Sequence, residues 1–335
     1  MTANPNLVEV SRGKVVESRH TGSICVVDGD GHIVLNVGDI DLPVFPRSAI
    51  KAIQALPLVE SGAASAFGFG DAELSLACSS HSGEVEHVAL ARSMLKKAGL
   101  DETCLECGGH WSSQAWVMRD QTKLYDETPP AICNNCSGKH TGFVCTAAQM
   151  GIDTKGYINP EHQIMENVRD ALQSVTGEAH EADLRGTDGC SIPSYAISLN
   201  AMAHGFARMA TGVHLQPERA KAGKRLLEAC MAEPFYMAGT KRFCTDYMTL
   251  GGGRLFAKTG AEGVFCGAIP ELGFGIALKC DDGSTRGAEA MMAATAAHLL
   301  AHDDPLQSGL NNMANTKLIN WNGMHVGDVR CEIPQ

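Results

Sequence analysis

β-Forming residues crowd the two ends of this chain while the long middle reads as helix, so a compact fold must join sequence-distant strands in one sheet. Near the start, Ser23-Ile24-Cys25-Val26-Val27 and His32-Ile33-Val34-Leu35-Asn36-Val37 flank Asp28-Gly29-Asp30-Gly31, the pattern of two strands joined by a tight turn. Late in the chain, Gly263 to Ala268 and Phe274 to Cys280 are β-rich again, broken at Pro270 to Gly273. The alanine- and methionine-rich run from Gly287 to Ala301 has strong helix propensity. Between the two ends, apolar residues at three- and four-residue spacing predict helices at about Ser48 to Glu60, Glu84 to Ala98, Pro160 to Val175, Ser194 to Met209 and Pro217 to Ala232. The expected class is α/β (α+β): an antiparallel sheet from about residues 1–45 and 250–335, flanking helices, and a mostly helical region over about 46–249, together one catalytic unit over 1–335.

Bulk properties narrow the partners. With 335 residues, 44% of them hydrophobic, the chain can bury a full core. A formal charge of −11 with no compensating basic run makes nucleic acid a poor partner. No apolar stretch reaches the roughly eighteen residues of a membrane span, and Met1 to Val10 lacks the basic and apolar regions of a secretory signal. A cytoplasmic location without a membrane partner is therefore expected. The thirteen cysteines then read as thiols or metal ligands more readily than as a disulfide framework.

Two short strings carry chemistry. Ser48-Ala49-Ile50-Lys51 and Lys258-Thr259-Gly260 have the form of the S-x-x-K and K-T-G elements used by serine enzymes that form an acyl-enzyme with lysine as base. On a helix, the Ser48 hydroxyl and the Lys51 amine share one face within hydrogen-bond reach. Lysine, with a reference pKa of about 10.4, can take the serine proton only if burial or a neighbouring cation lowers that value. Lys258 is the candidate neighbour. A serine at a helix start also offers its backbone N–H to an oxyanion. Taken alone, S-x-x-K is more often a helix cap followed by a surface lysine; the ordered K-T-G element sets the catalytic reading beside it, because the two strings must meet in space. Ser79-Ser80-His81-Ser82-Gly83-Glu84 can supply a third element, Ser80, to pair with Lys258, although an N-cap at Ser82 explains part of that string.

The cysteines admit several metal readings. Cys104-x-x-Cys107 and Cys133-x-x-Cys136 invite a four-thiolate zinc ribbon, but the gap between them is long. A zinc deaminase fails on spacing: His81 and Glu84 are three apart, and Ile132 rather than proline precedes Cys133. Gly138-Lys139 lacks the upstream glycine of a phosphate loop and is followed by His140. The remaining grouping, Cys136-Ser137-Gly138-Lys139-His140 with Asp188-Gly189-Cys190, can present thiolates, an amine, an imidazole and a carboxylate around one soft ion such as zinc.

Pro46-Arg47-Ser48-Ala49-Ile50-Lys51, Cys78 to Glu84, Asn135 to His140, Asp188-Gly189-Cys190 and Lys258-Thr259-Gly260, in that order along nearly the whole chain, resemble the class 3, rhizobial-type L-asparaginases, the asparaginase II family. The resemblance implies a fold similar to serine β-lactamases, penicillin-binding proteins and serine-dependent glutaminases, and hydrolysis of L-asparagine by a homodimer. It implies two serine–lysine tandems, Ser48 with Lys51 and Ser80 with Lys258, and a zinc ion held by Cys136, Lys139 and Cys190. Arg47, His140 and Asp188 would contact substrate or bound water. No organic cofactor is expected. Relative to β-lactamases, Ser80-His81-Ser82 replaces the middle S-x-N element. Two alternatives stay open: another serine amidase or peptidase of the penicillin-recognising fold, and a zinc-dependent amidohydrolase.

Overall fold

A computed structural model describes residues 3–302 and 304–334. Ten strands form among the described residues: β1 (Asn6–Arg12), β2 (Val15–Val27), β3 (Ile33–Val37), β4 (Arg185–Thr187), β5 (Pro193–Tyr195), β6 (Phe256–Thr259), β7 (Val264–Ile269), β8 (Phe274–Cys280), β9 (Lys317–Ile319) and β10 (His325–Cys331). Eight of them make one antiparallel sheet in the order β6-β7-β8-β2-β1-β10-β9, with β3 also paired to β2. The expected sheet from both chain ends is thus formed, and β2 is its joint. Residues 15–21 of β2 pair with β1, while Gly22 to Val27 pair with β8 from the far end of the chain.

Strand alternation sends the two faces to different helices. Cys266 of β7 meets Met202 (Sγ–Sδ 3.9 Å) in the helix Leu199–Thr211, whereas a side chain on the next residue, Gly267, would meet Met292 in the helix Thr285–Leu299. Phe256 of β6 stacks on Phe206 of the first of these helices. Lys258, two residues on, points the same way, toward the helical middle of the chain. No helix among the described residues is long and apolar enough to cross a membrane.

Two helix expectations need adjustment, and one helix is new. Ser48 to Glu60 is not one helix but a 3₁₀ turn (Arg47–Ile50) and two short helices (Lys51–Gln54 and Leu56–Glu60), because Pro57 cannot donate to the turn before it. Ser194 to Met209 begins as strand β5, and its helix starts only at Leu199, where Ser198 Oγ accepts the Ala201 N–H at 3.0 Å. A buried helix, Ser137–Met150, runs through the middle of the molecule and was not expected; every residue from Ser137 to Ala147 is buried. Its N-terminal turn lies so close to the end of the helix Asp71–Ala77 that a side chain on Gly138 would meet Leu76 O at 2.2 Å.

The same kind of approach locks helix to sheet. A Cβ at Gly275 of β8 would sit 1.9 Å from Ala203 O. Gly275→Ala should therefore force helix Leu199–Thr211 off the sheet and cost about 1–3 kcal/mol, read as a lower urea midpoint at unchanged slope.

Candidate active site

The segment Ser79 to Glu84 has no regular structure and is nevertheless buried, so each of its backbone groups needs a partner. Ser80 N–H donates to Met237 O and His81 N–H to Asn135 O; Gly83 N–H donates to His81 Nδ1. Lys51 Nζ donates to Ser79 O at 2.5 Å, Arg242 Nη1 to Ser80 O at 3.5 Å, and Ser112 Oγ to Ser82 O at 2.6 Å. Ser82 Oγ donates to Ala238 O instead of capping a helix, and the helix that follows starts at Val85. Four distant parts of the chain thereby hold this loop rigid.

Two buried amines converge on one hydroxyl in it. Ser80 Oγ lies 3.0 Å from Lys51 Nζ and 2.9 Å from Lys258 Nζ. Lys51 has a third partner, Cys136 Sγ, at 3.1 Å; Lys258 also reaches Thr259 O at 2.7 Å. Burial, reinforced by the positive charge of Lys51, lowers the Lys258 pKa to about 7. The sequence expectation gave the neutral amine to Lys51 and the perturbing charge to Lys258; the electrostatics here place the lowered pKa on Lys258. Ser48 is brought to the same region: Gly260 packs on its turn so tightly that a side chain there would meet Pro46 O at 2.8 Å. Among the described residues, however, the half-buried Ser48 hydroxyl makes no hydrogen bond to Lys51, whose amine has turned to Ser80.

A thiol–amine cluster adjoins the lysines. Cys136 is the N-cap residue of helix Ser137–Met150, and its thiol neighbours that of Cys190, with Lys139 Nζ 3.0 Å from Cys190 Sγ. The Cys190 contact, with Lys51 and Lys139 nearby, holds Cys136 well below the usual thiol range despite burial. Burial opposes charge on Lys139, but Cys190, Cys136 and Asp188 outweigh it and raise its pKa. Two sulfurs and an amine, all buried and close together, fit a soft divalent ion. His140, next on the helix, is kept neutral by burial and by the two ammonium groups.

Asp188 and Cys190 lie on the turn between β4 and β5, closed by Asp188 N–H to Ile192 O and Ser191 N–H to Asp188 O. Arg47 Nε pairs with Asp188 Oδ1 at 2.8 Å. Burial alone would raise the Asp188 pKa; Lys139 and Arg47 outweigh it and hold the carboxyl below its ordinary value. Arg47 (φ 49°) and Ser191 (φ 75°) occupy the left-handed region that favours glycine, one residue before Ser48 and one after Cys190.

All ten residues expected at a site thus fall in one contiguous region. The four ribbon cysteines do not share a site: Cys104 donates to Asp101 O, Cys107 to Ala131 O and Cys133 to Tyr125 Oη, while Cys136 meets Lys51. Sequence reasoning missed Arg242, which carries no motif. It also missed the bond between His81 Nε2 and Ser137 Oγ (2.9 Å), which ties the serine loop to the buried helix. A cavity of about 650 Å³ opens at Thr259 and Arg242 and is lined further by Asp246, Arg286 and Glu289, whose carboxyl burial pushes up to about 7.

The sequence pattern of the L-asparaginase II family matches residues 8–331. The chain belongs to the L-asparaginase II family. Membership supports an amidohydrolase, and in this family member the matched region contains every residue of the cluster. None of the curated sequences compared matches the chain. Among solved structures, Mglu in its native form aligns at 12% identity with a TM-score of 0.44, covering 85% of this chain and 66% of its own. A β-lactamase from Mycobacterium bovis aligns at 12% identity and TM-score 0.40, covering 78% of this chain and 88% of its own. A D-alanine carboxypeptidase from Burkholderia cenocepacia aligns at 14% and 0.37, with the same two coverages of 78% and 88%. This asparaginase II chain therefore spans less than two thirds of the length of Mglu.

Arg47→Ala would leave the Asp188 carboxylate buried without its charged donor, and should cost about 1.5–3 kcal/mol at pH 7. Because the folded-state pKa of Asp188 is depressed, the stability it contributes is present above the unfolded carboxyl pKa and lost as pH falls through the folded one. Urea unfolding should accordingly show the gap between wild type and variant narrowing as pH falls below about 4.

Proposed function

We propose that the chain hydrolyses the side-chain amide of L-asparagine to L-aspartate and ammonia through a serine ester. The observation that carries the reading is the Ser80 hydroxyl held between two buried lysine amines, one of them with a pKa of about 7. Lys51, with three acceptors for its three N–H groups, suits a charged donor; Lys258, with its lowered pKa, suits a base at neutral pH. A serine oxygen attacks the amide carbon, its proton passes to a lysine amine and on to the departing nitrogen, and water then cleaves the β-aspartyl ester. The backbone N–H of Ser48 is a candidate oxyanion donor, and removing one such donor typically costs about 3 kcal/mol of transition-state stabilisation.

Two hydroxyls can carry the ester. In the first reading Ser48, the less buried of the two and seated after a strained Arg47, attacks, and its hydrogen bond to a lysine amine forms only when substrate binds. A second reading, favoured by the two lysine contacts, makes Ser80 the attacking group. Quenching a turnover with acid and mapping the aspartyl ester by mass spectrometry separates them: Ser48→Ala abolishes the ester in the first, Ser80→Ala in the second. Absence of an ester in wild type, together with activity in both variants, would sink the serine mechanism.

With Lys258 as base, kcat/KM for asparagine should rise as pH increases through about 7 and then level. Lys258→Met should cost about 10²–10⁴-fold and remove that limb. A flat profile in the wild type would place the proton transfer elsewhere.

Cys136, Lys139 and Cys190 would hold the zinc ion, which when bound supplies a fixed positive charge for orienting the substrate's polar groups. In that role, Cys190→Ser should lower zinc content measured by mass spectrometry and raise KM more than it lowers kcat. An equal collapse of both parameters, with Ser48→Ala and Ser80→Ala active, would favour a zinc-dependent amidohydrolase.

A further inference from the structure

The mechanism makes no use of Tyr157, although it is fully buried and lies against a histidine in the first turn of the site helix. Tyr157 Oη accepts a hydrogen bond from the backbone N–H of Glu106 at 3.0 Å. That leaves the phenol's own proton for its other neighbour, His140 Nδ1, at 2.5 Å. A hydroxyl that already accepts from an amide and has one ring nitrogen before it donates to that nitrogen. Nδ1 is then an acceptor, and the proton of the neutral imidazole sits on Nε2. His140 Nε2 is buried and has no partner among the described residues.

The tyrosine is itself fixed. Gly156 N–H, one residue before it, donates to Glu106 Oε1 at 2.8 Å, so side chain and backbone of Glu106 clamp both members of the Gly156-Tyr157 pair. The rings of Tyr157 and His140 meet edge to face at 5.4 Å, and Phe143, beside Tyr157, packs edge to face on the same imidazole at 5.7 Å. Rotating the imidazole would bury a nitrogen against this aromatic wall.

We infer that Tyr157 is a positioning residue: it sets the tautomer of His140 so that Nε2–H is presented, unpaired, to an oxygen acceptor of a bound ligand. On the reading above, that acceptor is a carboxylate or carbonyl oxygen of the amino-acid substrate. A buried N–H without a partner costs free energy in the empty site, and a ligand oxygen that accepts from it removes the cost. The inference depends on the proposed substrate only for the identity of the acceptor; the tautomer stands independently of it.

The test uses the full chain with ¹⁵N-labelled histidine, His140 being assigned by its loss in His140→Gln. Long-range ¹H–¹⁵N correlation spectra should show His140 as the Nε2–H tautomer in wild type and shifted toward Nδ1–H, or mixed, in Tyr157→Phe. Steady-state kinetics with asparagine should show KM raised about tenfold in Tyr157→Phe, the scale of one hydrogen bond, with a smaller change in kcat. Gln presents a side-chain N–H without a tautomer, so in the His140→Gln background the added Tyr157→Phe should change KM less than about twofold. Circular dichroism melts of both variants report whether they fold. An Nδ1–H tautomer in wild type, or an Nε2–H tautomer unchanged by Tyr157→Phe, overturns the inference. So does an equal KM effect in both backgrounds. If wild type turns over no asparagine while the tautomer shift is seen, the substrate reading fails and the positioning role stands.

Discussion

Placing two lysine amines inside a protein is the constraint on which this structure turns. A buried ammonium is costly unless its donors are matched, and two of them a few ångströms apart also repel. Lys51 is 0% exposed and Lys258 1%. The fold meets the first cost with Ser79 O, Ser80 Oγ and Cys136 Sγ, one acceptor for each N–H of Lys51. It meets the second by depressing Lys258, whose two acceptors are Ser80 Oγ and its neighbour's carbonyl, Thr259 O. The pair is inequivalent by construction: both amines donate to the serine between them while Lys258 is charged, and once Lys258 has lost its proton the hydroxyl can accept from Lys51 and donate to Lys258.

That arrangement needs residues from both halves of the chain, which explains why so much of the architecture is close-packed backbone. Lys258 arrives on β6, Lys51 on a short helix, Ser80 on an irregular loop and Cys136 at the start of a helix through the core. Gly260 lets β6 approach the Ser48 turn, and Gly138 lets the core helix approach the residues before Ser79. Either contact, opened by a side chain, would move an amine away from the hydroxyl it must reach.

How much of this was legible in the sequence depended on the kind of signal. The strands at both ends and the helix Pro217–Ala232 could be read because alternation and periodicity are local properties, whereas the grouping of ten site residues followed from the family resemblance that the short motifs carry. The helix Ser137–Met150 could not. Gly138, Thr141 and Gly142 are poor helix formers, and Lys139 and His140 look like surface residues; burial on all sides and a cluster of partners override those propensities. The broken helix after Ser48 was signalled by Pro57 and passed over, since the apolar spacing continues across it. Arg242 and Tyr157 matter through contacts more than a hundred and about fifty residues away in sequence, to Ser80 and Glu106, and such pairings leave no trace in a local pattern.

Charge alternation explains why the lowered pKa falls on Lys258 in particular. The charged groups that act on one another run Arg47, Asp188, Lys139, Cys136 and Lys51, with direct contacts at the two ends, Arg47 to Asp188 and Lys51 to Cys136, and cation and anion alternate with Cys136 as a thiolate, which its depressed pKa favours. Each cation in that run has an anion beside it. Lys258 comes last and has none: its hydrogen-bond partners are a hydroxyl and a carbonyl, and burial keeps the neighbouring Cys244 a neutral thiol. A buried amine at the end of an alternating series, facing the cation before it, sheds its proton more readily than any other member. The lysine with the lowered pKa, the base of the proposed mechanism, is therefore selected by its place in the series and not by any property of the lysine itself. Reversing one sign within the run, at Asp188 or Cys136, would shift the balance at every group further in.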